Sequence, residues 1–193
     1  RIAGWFAGWE TARRGEIDAI VAEIKGEIGI PLDATRTFVL SARADRIERR
    51  HDGSFAILDY KTGQPPTGKQ VRMGLSPQLT LEAAILREGG FKEIDPGSSV
   101  GELVYIRLSG NNPPGEQKTV ELKMRPSETP QHPDVAADYA REELEKLIRK
   151  FEDESQAYTS LNLSMWAARY GDYDNLARIK EWSAAGGLEI PEW

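Results

Sequence analysis

The chain reads as an α/β domain, a β-sheet flanked by helices. Short β-rich runs bounded by turn signals recur between residues 36 and 124. Segments of helical spacing or helix-forming composition stand before, between and after those runs. At 193 residues the chain is long enough for one domain with a real core, and two are not expected. The division it suggests is a single domain over 1–193: a helical segment at 1–35, an αβ core at 36–153 and a helical tail at 154–193.

From Ile2 to Ile28, Trp5, Trp9, Ile17, Ile20, Ile24 and Ile28 form a broken apolar stripe spaced by threes and fours, which predicts a helix ended by Pro31. Strands are expected over about 36–48 and 55–61, where β-branched and apolar residues flank the turn signal HDGS. A Gly/Pro-rich loop follows from Thr62 to Gly68. Pro77 suits a first helical turn and LTLEAAILRE is strongly helix-forming, so a helix is expected over 77–87. Strands at 100–108 and 118–124 are joined by NNPPG, which reads as a loop rather than a tight hairpin. A proline-rich stretch leads to a long amphipathic helix over about 133–153. The tail returns to short helical turns, and Tyr170, Tyr173 and Leu176 are candidates to fasten it to the domain.

The chemistry concentrates at the first hairpin. Asp45 in ARADRIE and Asp59 in ILDYKTG straddle Asp52-Gly53, one of the strongest short hairpin signals. A two-residue loop would set Asp45 opposite Tyr60; a three-residue loop closed by a left-handed glycine would set it opposite Asp59. In either register the carboxylates are close neighbours. Side chains alternate along a strand, so Asp59 and Lys61 share one face while Leu58 and Tyr60 take the other.

Two facing carboxylates repel unless a cation compensates them. Mg²⁺ fits such a pair, because it takes one or two protein carboxylates, keeps several waters and completes its shell with substrate phosphate oxygens. Lys61 could then orient or deprotonate the attacking water, or neutralise charge as the phosphorane forms. The plainer alternative is a pair of separate surface acids beside Arg46 and Lys61, making ordinary exposed ion pairs of little energetic weight.

The succession ARADRIE, ILDYKTG and SPQLTLEAAI resembles the PD-(D/E)XK nuclease superfamily, in its RecB-like branch. Within that branch it is similar to the C-terminal nuclease domain of the AddB family of bacterial helicase-nuclease subunits, and the similarity reaches the tail YGDYDNLARIKEW. The resemblance implies a mixed β-sheet core and a Mg²⁺-dependent nuclease, with Mn²⁺ as a substitute metal, acting in double-strand break repair. It implies as partners DNA, an AddA-like helicase-nuclease subunit and the rest of an AddB chain. It assigns Asp45 and Asp59 as metal-binding acids, the Tyr60 carbonyl as a further ligand, Lys61 as the catalytic lysine and Gln78 as the helical glutamine. Three departures accompany it. Glu82 stands where the family's helical motif carries tyrosine. Neither His51 nor His132 precedes Asp45, where a histidine is usual. There are no cysteines, so the iron-sulfur cluster of some relatives is excluded. The chain also opens at Arg1 within a helical pattern, as an excised fragment would.

Composition sets the remaining bounds. A mean hydropathy of −0.52 and 29% charged residues fit a soluble protein, and no apolar run is long enough to span a membrane. With no secretory leader pattern, a cytoplasmic location is the default. The net charge of −6 is not that of an autonomous nucleic-acid binder, so the domain alone is expected to hold DNA weakly. That charge and the missing histidine keep a second reading open: a nuclease-fold module that guides DNA or docks a helicase without cutting.

Other candidates are weaker. GQPPTGK at 63–69 has P-loop spacing, but Pro65 and Pro66 have no N–H to offer a phosphate and Gln70 stands where Ser or Thr is needed. Lys69 and Arg72 are instead candidates for DNA phosphate contacts. His51 and His132 lack partners at metal-ligand spacing. Trp5, Trp9 and Trp166 are expected to pack helices rather than stack on bases.

Overall fold

The structure is a computed structural model and describes residues 1–157. Its elements are α1 (Ile2–Arg14), β1 (Ile17–Pro31), β2 (Thr37–Arg50), β3 (Phe55–Lys61), α2 (Gly68–Arg72), α3 (Gln78–Arg87), β4 (Val100–Leu108), β5 (Gly115–Thr119) and α4 (Pro133–Phe151). The strands form one sheet in the order β1-β2-β3-β4-β5, antiparallel throughout except for the parallel pair β3–β4. The parallel pair requires a crossover, and α3 lies within it. The expected α/β architecture with a mixed sheet and flanking helices is therefore present. Contacts divide the chain into Arg1–Lys150, which contains the whole sheet, and Phe151–Trp193, described only to Ala157. The tail turns and Trp166, Tyr170, Tyr173 and Leu176 lie outside the described residues.

Two expectations are corrected. The helix over residues 2–28 stops at Arg14, and Ile17–Pro31 is the edge strand β1, so the sheet begins well before residue 36. The isoleucines satisfy helical spacing by coincidence. From Gly26 onward burial alternates strictly: Gly26, Ile28 and Ile30 are buried, while Lys25, Glu27 and Gly29 are exposed. Gly26 also lies against the Phe91 ring, where an added Cβ would sit 2.4 Å from ring carbon Cδ1. The strand expected at 118–124 is instead β5 at Gly115–Thr119, because Leu108 already pairs with Gly115 across the NNPPG loop. Thr67, at the end of the Gly/Pro loop, caps the short helix α2 in a reciprocal capping box with Gln70. That accounts for the Gln70 at which the P-loop pattern fails.

Both faces of the sheet are covered. On one, Ile57, Leu103 and Tyr105 pack with Leu79, Ala83 and Leu86 of α3 and with Ala136 and Ala137 of α4. On the other, Leu58, Val104 and Ile106 meet Trp5 and Trp9 of α1. The two tryptophans thus pack a helix onto the sheet, as expected. This second face also holds a buried ion network. Arg13 Nε donates to Glu48 Oε2 at 2.8 Å, Arg46 Nε donates to Glu48 Oε1 at 2.7 Å, and Arg13 Nη2 reaches Glu102 Oε2 at 2.7 Å. Glu48 is fully buried, and two guanidinium groups compensate its charge.

Candidate active site

The β2–β3 hairpin takes the three-residue register. Arg46 pairs with Leu58 and Arg49 with Phe55, and Gly53 closes the loop at φ 83°, a conformation glycine adopts without strain. Continued by one step, this register brings Asp45 to Asp59. There the ladder gives way to a side chain: Asp45 Oδ2 accepts the Tyr60 amide at 3.0 Å. The pairs Ala22–Arg46 and Ile24–Ala44 of the neighbouring strands bracket Glu23, which has φ 56°. A non-glycine residue in that region is strained, and it stands at the register position opposite Asp45.

Alternation along β3 places Asp59 and Lys61 on the face that α3 covers, and the Tyr60 ring on the other, where its hydroxyl lies 3.5 Å from Arg46 Nη1. Asp59 is 3% exposed. A buried carboxylate is costly unless partnered, and here it has two partners. Gln78 Nε2 donates to Asp59 Oδ1 at 2.7 Å. The Lys61 ammonium lies 2.8 Å from Asp59 Oδ2, an ion pair off the angle of a hydrogen bond, so Oδ2 has charge compensation but no hydrogen-bond donor. Lys61 Nζ also donates to Gln78 Oε1 at 3.1 Å. Gln78 therefore ties the acid and the lysine together from the first turn of α3.

One turn on, Glu82 faces the same cluster. Its Oε1 accepts from Gln78 Nε2 at 3.2 Å, while Oε2 is buried without a hydrogen-bond partner. Burial, seconded by the charges of Asp59 and Asp45, pushes the Glu82 carboxyl up to about 7 against the pull of Gln78 and Lys61. Tyr105, paired with Asp59 in the parallel ladder, forms the floor. Lys61 Nζ stands 5.9 Å from its ring centroid, and burial together with Asp59 and Glu82 holds its phenol far above the ordinary range, hence neutral.

Asp59, Lys61 and Gln78 thus come together around one point, and Asp45 is bonded to the backbone of Tyr60, between the acid and the lysine. Of the two candidates for phosphate contact, Lys69 is exposed on α2 and lines a neighbouring groove, whereas Arg72 is ion-paired to Glu128. His51 binds Asp18 and the Gly15 carbonyl at the surface, away from this cluster. Glu82, in sequence only a departure from the family motif, joins the cluster; its spacing of four from Gln78 on a helix is the signal that places it there. Tyr105 gave none, because its place depends on the β3–β4 register. Among the described residues no three His, Asp or Glu side chains form a metal cage. The donors suit a cation that needs few protein ligands: two carboxylates, one with a buried oxygen lacking a hydrogen-bond donor, beside the Tyr60 backbone.

The family model of the PD-(D/E)XK nuclease superfamily matches residues 1–167. The chain belongs to that superfamily. As a PD-(D/E)XK domain it is 34% identical over 131 residues to an uncharacterized protein of Rickettsia bellii, covering 62% of this chain and 16% of that protein. It is 42% identical over 86 residues to an uncharacterized protein of Rickettsia typhi, covering 45% of this chain and 10% of the relative. The chain therefore spans less than a fifth of these curated relatives. The crystal structure of SSO0001 aligns with a TM-score of 0.43 and 13% identity, over 90% of this chain and 67% of that one. Among the described residues no helix is long and apolar enough to cross a membrane.

Proposed function

We propose that this PD-(D/E)XK domain hydrolyses DNA phosphodiester bonds with Mg²⁺, or Mn²⁺ in its place, as an exonuclease in double-strand break processing in the cytoplasm. The observation that carries the reading is Asp59, a buried carboxylate held between Gln78 and Lys61 and adjacent to Asp45. Its Oδ2 is buried without a hydrogen-bond donor, which supports a role as a cation ligand rather than a purely structural one. The bound cation supplies positive charge and a water of lowered pKa.

The positions of the residues support a role for each. Asp45 and Asp59, with the Tyr60 carbonyl, would hold the cation. Lys61 Nζ orients the attacking water and neutralises charge growing on the phosphoryl oxygens. Gln78 keeps the lysine and Asp59 in register, and the neutral Tyr105 ring excludes water beneath them. The similarity of ARADRIE, ILDYKTG and SPQLTLEAAI to AddB supports placing the domain in a longer AddB-like chain beside an AddA-like helicase-nuclease subunit. The net charge of −6 supports delivery of the strand by that assembly.

The same charge, with no histidine ahead of Asp45 in this chain, is what favours a non-cutting guide module. Incubating end-labelled DNA with the full-length protein in Mg²⁺, Mn²⁺ or EDTA separates the two readings. Cleavage in either metal, absent in EDTA and in Asp59→Asn, is the expected result. Intact DNA under all conditions, with a folded protein, would leave the guide module.

A further inference from the structure

The sheet face that carries Asp59 and Lys61 continues across β4 and β5. Lys61 pairs with Arg107, Asp59 with Tyr105, and Tyr105 in turn with Lys118. Directly paired residues share a face, so Arg107 and Lys118 stand beside the site as further cations. Arg107 has a buried Nε with no hydrogen-bond partner, and Glu116, opposite it on β5, forms no ion pair with it. A buried guanidinium atom left without an acceptor is a cost that folding does not explain.

Beyond Lys118 opens a groove of about 570 Å³ between the Pro65–Lys69 segment and residues 118–126, with Tyr105 on its wall. In a chain of net charge −6, four basic side chains line it (Lys69, Lys118, Lys123 and Arg125) against the single acid Glu121. Glu121 is taken by Lys123. Lys69, Lys118 and Arg125 have no acidic partner among the described residues. Tyr105 lines this groove and its ring centroid lies 5.9 Å from Lys61 Nζ, so the groove adjoins the Lys61 cluster.

We propose that Arg107 and Lys118 form a phosphate subsite next to the scissile position, and that the groove beyond them carries the adjoining backbone of a DNA strand on Lys69 and Arg125. The subsite rests on the nuclease reading for its ligand, but it is a binding site and is testable without cleavage. The planar guanidinium of Arg107 suits capture of a phosphodiester through its terminal nitrogens, beyond the buried Nε. Pro65, Pro66 and Val120 supply an apolar wall for sugar and base, as strand-binding grooves combine apolar contact with cations.

The test measures anisotropy of a fluorescein-labelled single-stranded oligodeoxynucleotide with the full-length protein in EDTA over a KCl series. Arg107→Gln and Lys118→Gln should each weaken binding, by about 3- to 10-fold, and each lower the salt slope by about 0.7. Arg107→Gln should melt at or above the wild-type temperature, since it removes a buried group without a partner. Wild-type affinity and slope in both variants would overturn the subsite. So would a weakening confined to Arg107→Gln that tracks a lower melting temperature. Inorganic phosphate at matched ionic strength should displace the oligonucleotide no better than chloride; specific displacement together with unchanged affinity in the variants would assign a free-phosphate site instead. Failure of the two readings is distinguishable. Variants that bind as expected in a protein that never cleaves would sink the nuclease reading alone, whereas a cleaving protein with wild-type slopes in both variants would sink the subsite alone.

Discussion

Gln78 Nε2 sits 2.7 Å from Asp59 Oδ1 while the oxygen of the same amide accepts from Lys61 Nζ, so one side chain fixes an acid and a base at once. The orientation of the amide is set by charge: its N–H₂ faces the carboxylates of Asp59 and Glu82, and its carbonyl faces the ammonium. Gln78→Leu leaves Asp59 Oδ1 buried without a donor and frees the lysine. The expected cost is about 1–3 kcal/mol in stability. Cleavage should fall by more than that loss of folded protein explains. Equal losses in rate and folded fraction would make Gln78 merely structural.

Lys61 is not a metal donor, so Lys61→Ala should leave Mn²⁺ affinity and melting temperature close to wild type. Cleavage should drop by about 10²-fold or more, the scale for losing one positioned acid–base group. Asp59→Ala should abolish both metal binding and cleavage, since a ligand is gone. Calorimetric Mn²⁺ titration beside a nuclease assay on the two variants checks this, and unchanged cleavage in both would remove the catalytic role from the site.

Glu82 makes stability depend on pH. Its folded pKa, about 7, lies above the ordinary carboxyl value of 4.5, so the folded state binds its proton more tightly than the unfolded chain does. The stabilisation is complete below the unfolded value and is lost as pH rises from there through about 7, amounting to roughly 3 kcal/mol at most. In EDTA, wild-type melting temperature should therefore fall from pH 5 to pH 8 more steeply than that of Glu82→Gln, which cannot ionise there. Parallel curves for the two proteins would contradict the burial of this carboxyl.

Gly26 separates the two accounts of residues 17–31. In an exposed helix, Gly26→Ala would stabilise by about 1 kcal/mol. In β1 the new Cβ would meet the Phe91 ring, and a loss of about 1–3 kcal/mol is expected from overpacking. The sign of the change in chemical denaturation decides between them.

Much of the candidate site's geometry was legible because its spacing is local. Asp-Gly between β-rich runs specifies a hairpin, and period-2 alternation then brings Asp45 beside Asp59 and puts Lys61 on the face of Asp59, whatever surrounds them. Gln78 was legible as the opening of a helix, by its resemblance to the family motif.

Wherever distant chain segments meet, sequence was insufficient. Ile17 to Ile30 satisfies helical spacing and strand alternation at once; pairing with β2 and the close approach of Phe91 to Gly26 chose the strand. Sequence placed Lys69 and Arg72 as equals, but Glu128 neutralises one and leaves the other at the groove. The elevated pKa of Glu82, the floor made by Tyr105 and the unpartnered Arg107 likewise depend on the parallel β3–β4 register and the packing of α3 above it. The sequence by itself determined which residues could do the chemistry, since residue type and short-range periodicity are local properties. Burial, charge compensation and register belong to pairs of segments far apart in the chain, and only the tertiary structure decided them.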